Sequence, residues 1–325
     1  MRTNEAVAIT AYAQAECVEI GHCGEPAPYE VAGETMFSLI SPGTELAACY
    51  FGSAPFPKIP GYAAVMKVTA IGAEVDHIKL GDYVYFSGQH KRYQKADRRA
   101  VLPLPAQLDP AFGAIARLMG VSMTTLITTA AKPGERVLIM GAGPVGYLAA
   151  HMFKGAGYRI AVCDPDPQRR QLLASTGITD VYEKLDSEAA PQGRDSFALA
   201  IDCSGHEGAV LDACRSVRKG GEVVMVGVPW KQQSEHTAHQ LMHVVFHNYV
   251  HLRSGWEWEL PIHAGDFSPH SIMGNWATAL SWLNEGRIPL DGLIRTFAPC
   301  DAQEAYSSLA ARTMSELFVM FDWRA

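Results

Sequence analysis

Short apolar runs broken by glycine and proline fill residues 1–117, among them Met36 to Ile40, Ala63 to Ile71, Asp82 to Phe86 and Arg99 to Leu104. None has the spacing of a long helix, so the pattern predicts strands of a small barrel or sandwich-like domain. Alanine, methionine and threonine take over in residues 113–131, GAIARLMGVSMTTLITTAA, which suits a helix leading out of that region. From 137 to 255 apolar strands and helical segments alternate. Strands are predicted at Val137–Met140, Arg159–Asp164, Val181–Glu183, Ala198–Asp202, Glu222–Gly227 and Val250–Ser254. Short buried strands separated by helices imply an α/β fold with a doubly wound parallel six-stranded sheet and right-handed crossovers. In the tail, Trp276, Leu280 and Leu283 fall at helical spacing and Gly286 ends that helix. Asp301 is the N-cap expected of a last helix, and LFVMF closes as a strand.

The first strand of the alternating region runs straight into Gly141-Ala142-Gly143-Pro144-Val145-Gly146, and the second ends in Asp164. This is the order of a dinucleotide-binding unit. Gly141 permits the tight turn, Gly143 lets the backbone approach a pyrophosphate, and Gly146 lets the helix pack closely on the strand. The helix N-terminus offers unpaired N–H groups and a positive dipole end to the phosphates. Asp164 is placed to accept hydrogen bonds from ribose hydroxyls, which favours NAD over NADP. In such a sheet ligands bind beyond the carboxyl ends of the strands, where Ser204-Gly205, Gly227-Val228 and Ser254-Gly255 fall. These residues, with Thr124 and Arg169, are candidate cofactor contacts; glycine at strand ends also serves as a plain turn residue.

Composition narrows the partners. With 48% hydrophobic and 19% charged residues the chain reads as globular, and 325 residues allow two domains. A net charge of −7 without a clustered basic stretch argues against nucleic acid. No apolar stretch is expected to reach the about 20 residues of a membrane span, and the N-terminus lacks a signal-peptide pattern, so a cytoplasmic protein is expected. Seven cysteines show no CxxC pair and are expected to be mostly buried and apolar in behaviour.

Several separated stretches resemble the medium-chain dehydrogenase/reductase superfamily, its polyol and threonine dehydrogenase branch more than its quinone reductases. They are SPGTEL at 41–46, GYAAVMKVTAIGAEVDHIKLGDYV at 61–84, MGVSMTTL at 119–126, the GAGPVG turn, and ALSWLNEGRIPLDGLIRTF with AQEAY at 279–306. The resemblance implies a GroES-like β-rich catalytic domain, residues 1–117 and 256–325, and a Rossmann NAD-binding domain, residues 118–255, with a cleft between them. It also implies a homodimer or homotetramer, paired through the sheet edge at Val250–Ser254.

Zinc-dependent members of that family have a Cys before their Gly-Thr, a His-Glu pair after the glycine of the second motif, and a Cys or acid at the linking helix. Here those positions read Pro42, Tyr62 with Ala63, and Gly120. None offers a thiolate, imidazole or carboxylate, and Phe86 to Leu102 holds no cysteine for a structural zinc. No catalytic metal is expected, so another group must handle the reacting oxygen.

Thr44 matches the family's proton-relay hydroxyl, or stabilises its turn. Tyr62 places a phenol where a zinc ligand stands in relatives, as a hydrogen-bond donor to an alkoxide or as a cleft-filling aromatic. His90 is a third catalytic candidate, or a hydrogen-bonded strand histidine. Glu45 is expected to make a salt bridge and is kept as a candidate substrate contact. Residues 256–276 hold Trp256, Trp258, His263 and Trp276, whose aromatic faces and polar groups suit a polyhydroxylated small molecule or a subunit contact. His236, His239, His243, His247 and His251 are spaced three and four apart, yet no carboxylate completes an HExxH motif; a packed or partly solvated helix is expected.

The reading that joins these features is a zinc-independent, NAD-dependent oxidoreductase acting on a secondary alcohol or ketone of a polyol, sugar or cyclitol-like substrate. A zinc-free NADPH-dependent enoyl or quinone reductase, and a non-catalytic NAD-binding protein, are the alternatives.

Overall fold

The computed structural model describes residues 3–185 and 196–325. The chain divides into two compact units: Met1–Arg117 with Trp276–Gly286 and Leu290–Ala325, and Leu118–Asn275 with Arg287–Pro289.

The first unit is β-rich. Strands β1 (Asn4–Ala11) and β2 (Gln14–Ile20) pair as a hairpin. A seven-stranded sheet is built from β3 (Glu30–Leu39), β4 (Ala64–Ile71), β5 (Tyr83–Phe86), β6 (Tyr93–Asp97), β7 (Val101–Pro103), β14 (Ile294–Phe297) and β15 (Phe318–Asp322). Its order is β14-β15-β3-β4-β5-β7, with β6 also on β3, so the C-terminal strands complete a sheet begun by the N-terminal ones. Val7, Ile9, Tyr306, Phe321 and Trp323 share one core, and helix α8 (Ala302–Ala311) packs into it. Asp301 stands at the N-cap of α8, but its side chain makes no cap hydrogen bond.

The second unit is the expected doubly wound sheet. Its strands, β8 (Arg136–Met140), β9 (Arg159–Cys163), β10 (Val181–Tyr182), β11 (Phe197–Asp202), β12 (Val217–Met225) and β13 (His251–Ser254), lie all parallel in the order β10-β9-β8-β11-β12-β13. Strands β8 and β11 are buried on both faces, which is why their sequences are unbroken apolar runs rather than alternating ones. The strand order reverses between β8 and β11, and a ligand crevice belongs at the carboxyl ends on either side of that point.

Two expectations are corrected. Residues 256–275 belong with the second unit, not the first, because Thr124 Oγ1 meets the Glu257 carbonyl at 3.5 Å, Asn275 Nδ2 donates to Thr124 Oγ1 at 3.2 Å, and Arg253 reaches Glu259. Helix α2 (Pro110–Thr128) is, by length and composition, apolar enough to cross a membrane, though most of it is buried within the protein. The histidine row falls on a helix that stops before the sheet's last strand, as expected: α6 (Ala238–His247) starts after His236 and ends before β13. It buries no residue fully, packs Leu241, Val244 and Val245 against the sheet core, and leaves all five histidines exposed.

Candidate functional site

In the second unit the turn after β8 has the shape a dinucleotide needs. Gly141 sits at φ +94°, a conformation that L side chains rarely adopt. A Cβ on Gly146 would lie 1.8 Å from the Gly141 carbonyl oxygen, so only glycine lets helix α3 (Pro144–Gly155) begin this close to the strand. A Cβ on Gly143 would meet nothing nearer than Arg169 Nη1 at 3.8 Å; space is open there for a phosphate. Gly143 is the N-cap of α3 and makes no side-chain cap, which leaves first-turn N–H groups to a ligand.

Asp164 follows β9, with its side chain buried. Its Oδ2 accepts from Ala142 N at 2.6 Å and its Oδ1 from Asp166 N at 2.8 Å, tying the strand end to the glycine turn. Arg169, on the first turn of α4 (Pro167–Ser175), reaches Asp164 at 3.7 Å. The loop after β11 is organised by Asp202, whose buried carboxylate accepts from Ser204 N at 3.0 Å, Ser204 Oγ at 2.6 Å and Gly205 N at 3.1 Å. Burial pushes the Asp202 carboxyl up, and these donors pull it back. Gly205 and Gly227 touch backbone to backbone, since a Cβ on Gly227 would meet Gly205 N at 2.2 Å. Val228 is half exposed and Ser254 is exposed, while Gly255 is buried with Val226 against the place its Cβ would take.

The first unit holds the hydroxyl groups. Ser41 stands at the N-cap of a single helical turn, α1 (Pro42–Glu45), without a side-chain cap; in it Pro42 is pre-set for the first helical position and Thr44 lies half-buried. Gly61 adopts φ +96° with its backbone against the His90 ring, and this turn delivers Tyr62. Tyr62 Oη donates to Ser41 Oγ at 2.5 Å. Burial pushes the Tyr62 phenol up, opposed by hydrogen bonds with Ser41 and Thr44 and by the charge of Arg117. The result is a cluster of three hydroxyls, two on the Ser41–Thr44 turn and the third from Tyr62, whose phenol stays protonated at neutral pH.

His90 is placed elsewhere than a base needs to be. It is wholly buried, with Nε2 at 2.9 Å from Glu45 Oε2 and Nδ1 at 2.8 Å from Ser38 Oγ. Trp323 Nε1 donates to the same Ser38 oxygen at 2.8 Å, leaving the Ser38 proton for Nδ1 and making Nε2 the protonated nitrogen. Glu45 also accepts from Tyr306 Oη at 2.6 Å and Ser41 N at 2.8 Å. His90 and Glu45 are therefore internal struts beneath the Ser41–Thr44 turn, and neither presents an atom to a ligand.

The other candidate substrate contacts are divided between the two units. Trp256, Trp258 and His263 are exposed in the second unit. Trp276 is in the first unit but only 4% exposed, edge to face with Tyr85 at 5.4 Å. Thr124 is fully buried, within the Glu257 and Asn275 contacts. Sequence reasoning missed Ser41 and Arg117. Ser41 hid inside a turn motif; Arg117 is the single charge in α2, a signal that was legible.

Residues 144–255 match the family model described as zinc-binding dehydrogenase. L-galactonate-5-dehydrogenase of Escherichia coli (strain K12) is 31% identical over 150 residues, covering 45% of this chain and 44% of that protein. The chain spans about half the length of the curated relatives it matches. Galactitol-1-phosphate dehydrogenase from Escherichia coli has the same fold, with a TM-score of 0.82 at 17% identity over 98% of this chain and 99% of that one. Acetophenone reductase from Geotrichum candidum NBRC 4597, solved in complex with NAD, gives 0.80 at 15% identity over 99% and 98%. Residues 144–255 are thus similar to zinc-binding dehydrogenases, and the chain shares its fold with the solved galactitol-1-phosphate dehydrogenase and acetophenone reductase.

Proposed function

We propose that this chain is an NAD-dependent dehydrogenase that works without zinc, moving a hydride between the cofactor and a secondary alcohol or ketone of a polyol, sugar or sugar acid. The observation that carries the reading is Tyr62, a phenol bonded to Ser41 Oγ where the resemblance expects a metal ligand. Pro42, Ala63 and Gly120 supply no donor at the other expected positions, and among the described residues no group of three or more His, Cys, Asp or Glu side chains is arranged to hold a metal ion. The named substrates of L-galactonate-5-dehydrogenase and galactitol-1-phosphate dehydrogenase support a polyhydroxylated substrate.

Bound nicotinamide supplies the hydride acceptor or donor. The open space at Gly143 and the start of α3 fit a pyrophosphate, and Asp164 fits a ribose diol. Tyr62, kept protonated by burial, donates a hydrogen bond and then a proton to the oxygen that becomes an alkoxide during reduction. Thr44 and Ser41, on the same turn, hold that phenol in place and extend the hydroxyl path. Arg169 beside Asp164 leaves NADP as a second cofactor reading, since a guanidinium suits a 2′-phosphate. We also propose pairing of two copies through the edge strand β13, supported by exposed Met242, Phe246, Tyr249, Trp256 and Phe267 on the second unit.

Mixing the purified protein with NAD and a panel of polyols, aldonates and cyclitols, and with NADH and the matching ketones, tests the activity. Turnover that falls about 10²–10⁴-fold in Tyr62→Phe is expected. No change at the NADH absorbance band in either direction refutes the dehydrogenase reading.

A further inference from the structure

One buried cation in the first unit has no part in the scheme above. Arg117, 6% exposed, lies in α2 with its guanidinium carbon 4.8 Å from the centroid of the Tyr62 ring and 5.5 Å from that of Trp276. Trp276 in turn leans edge-on against fully buried Tyr85. Tyr62, Arg117, Trp276 and Tyr85 therefore form one interior column, and its Tyr62 end carries the hydroxyl bonded to Ser41. A guanidinium is planar, weakly hydrated and always charged, so it can stack on an aromatic face in the interior where an ammonium would be costly. The geometry decides what it acts on: the charge faces the ring of Tyr62 while the hydroxyl turns toward Ser41 and Thr44.

We propose that Arg117 is a positioning residue for Tyr62, its guanidinium stacked on the phenol so that the ring is held in the orientation that keeps Oη on Ser41 Oγ and the phenolate is favoured when the proton leaves. The proposal rests on the reading of Tyr62 as the proton-handling group. Two effects separate inside it. Stacking fixes the ring and needs a flat cation; the electrostatic effect needs only positive charge near the ring and opposes the desolvation that pushes the phenol up. Without Arg117, Tyr62 would keep its burial and lose the one positive charge that counters it among the causes acting on this phenol.

The test places 3-fluorotyrosine at position 62 and follows its ¹⁹F resonance against pH in the otherwise unchanged protein, in Arg117→Met and in Arg117→Lys. Fluorine lowers the phenol midpoint into a range where the folded protein can be titrated. Met keeps the stem without the charge, and the expected result is a midpoint shifted upward. Lys keeps charge without the flat stack: the expected midpoint stays near the parent while the resonance moves and broadens as the ring loses its fixed orientation. An unchanged midpoint in folded Arg117→Met overturns the proposal. Should that variant fail to fold, Arg117→Lys decides alone, because a resonance identical to the parent in position and width overturns the positioning role. The titration needs no substrate, so a chain that turns nothing over can still show the coupling, and an active dehydrogenase can still lack it.

Discussion

Two glycines three residues apart in the same turn are expected to fail in different ways when each gains a methyl group. In Gly146→Ala the new carbon starts 1.8 Å from the Gly141 oxygen, whereas an ordinary contact begins at 3.4 Å, so α3 must retreat by about 1.6 Å. The obstacle is backbone, which cannot swing aside as a side chain could. Overpacking of this kind costs about 1–3 kcal/mol, or about 2–4 °C of melting temperature per kcal/mol for a domain of this size. In Gly143→Ala the nearest atom is Arg169 Nη1 at 3.8 Å and the backbone sits at φ −66°, so the fold accommodates the methyl. Its cost appears only when a pyrophosphate needs that space, as a loss of at least about tenfold in NADH affinity, near 1.4 kcal/mol. Urea denaturation and NADH fluorescence titration of both variants read the two effects separately. A Gly146→Ala protein as stable as the parent, or a Gly143→Ala protein that binds NADH as tightly, would refute the geometry assigned to this turn.

Other consequences are equally direct. Glu45→Ala strands the Ser41 N–H, His90 Nε2–H and Tyr306 O–H in the core and is expected to cost about 3–5 kcal/mol by urea denaturation; a loss below about 1 kcal/mol contradicts the strut role. His151 in α3 is buried beside Thr176, and burial, with Lys154 adding to it, lowers its pKa to about 4. The unfolded chain then binds the extra proton first: the contribution is full above about pH 6.5 and is lost as pH falls toward 4, about 3 kcal/mol in all. His151→Gln should flatten that acid limb in denaturation curves taken at several pH values, and an unchanged limb would assign it to other groups. Asp164→Asn removes the charge that receives Ala142 N and that the proposed function assigns to the ribose, so NADH affinity should fall by about tenfold while NADPH affinity falls less; an unaltered ratio of the two contradicts the cofactor assignment.

The second unit was legible in the sequence because strands buried on both faces must be apolar throughout, and because the glycine turn is dictated by steric contacts local to it. The ends of its strands moved only slightly, except at β12, which begins at Val217. Residues 256–275 were misassigned since their anchoring is tertiary: Thr124 to Glu257 and Asn275 are contacts between segments more than a hundred residues apart. His90 was misleading for the same reason. Its neighbours in sequence are polar and suggest a surface strand, whereas its partners, Ser38 and Glu45, lie 52 and 45 residues away, and Trp323 closes the group from 285 residues beyond Ser38. Trp276 was placed correctly on a helix (α7, Ile272–Asn284), but helical spacing could not tell a ligand-facing ring from one packed between Arg117 and Tyr85.

The central claim is that hydroxyl groups on the Ser41–Thr44 turn and Tyr62 stand where relatives use zinc. The zinc content of turnover-competent protein, measured by elemental mass spectrometry after exhaustive chelation, tests it most directly. Full activity with zinc far below one equivalent per chain is the predicted result; activity that is lost with the metal and restored by one equivalent of zinc would contradict the account.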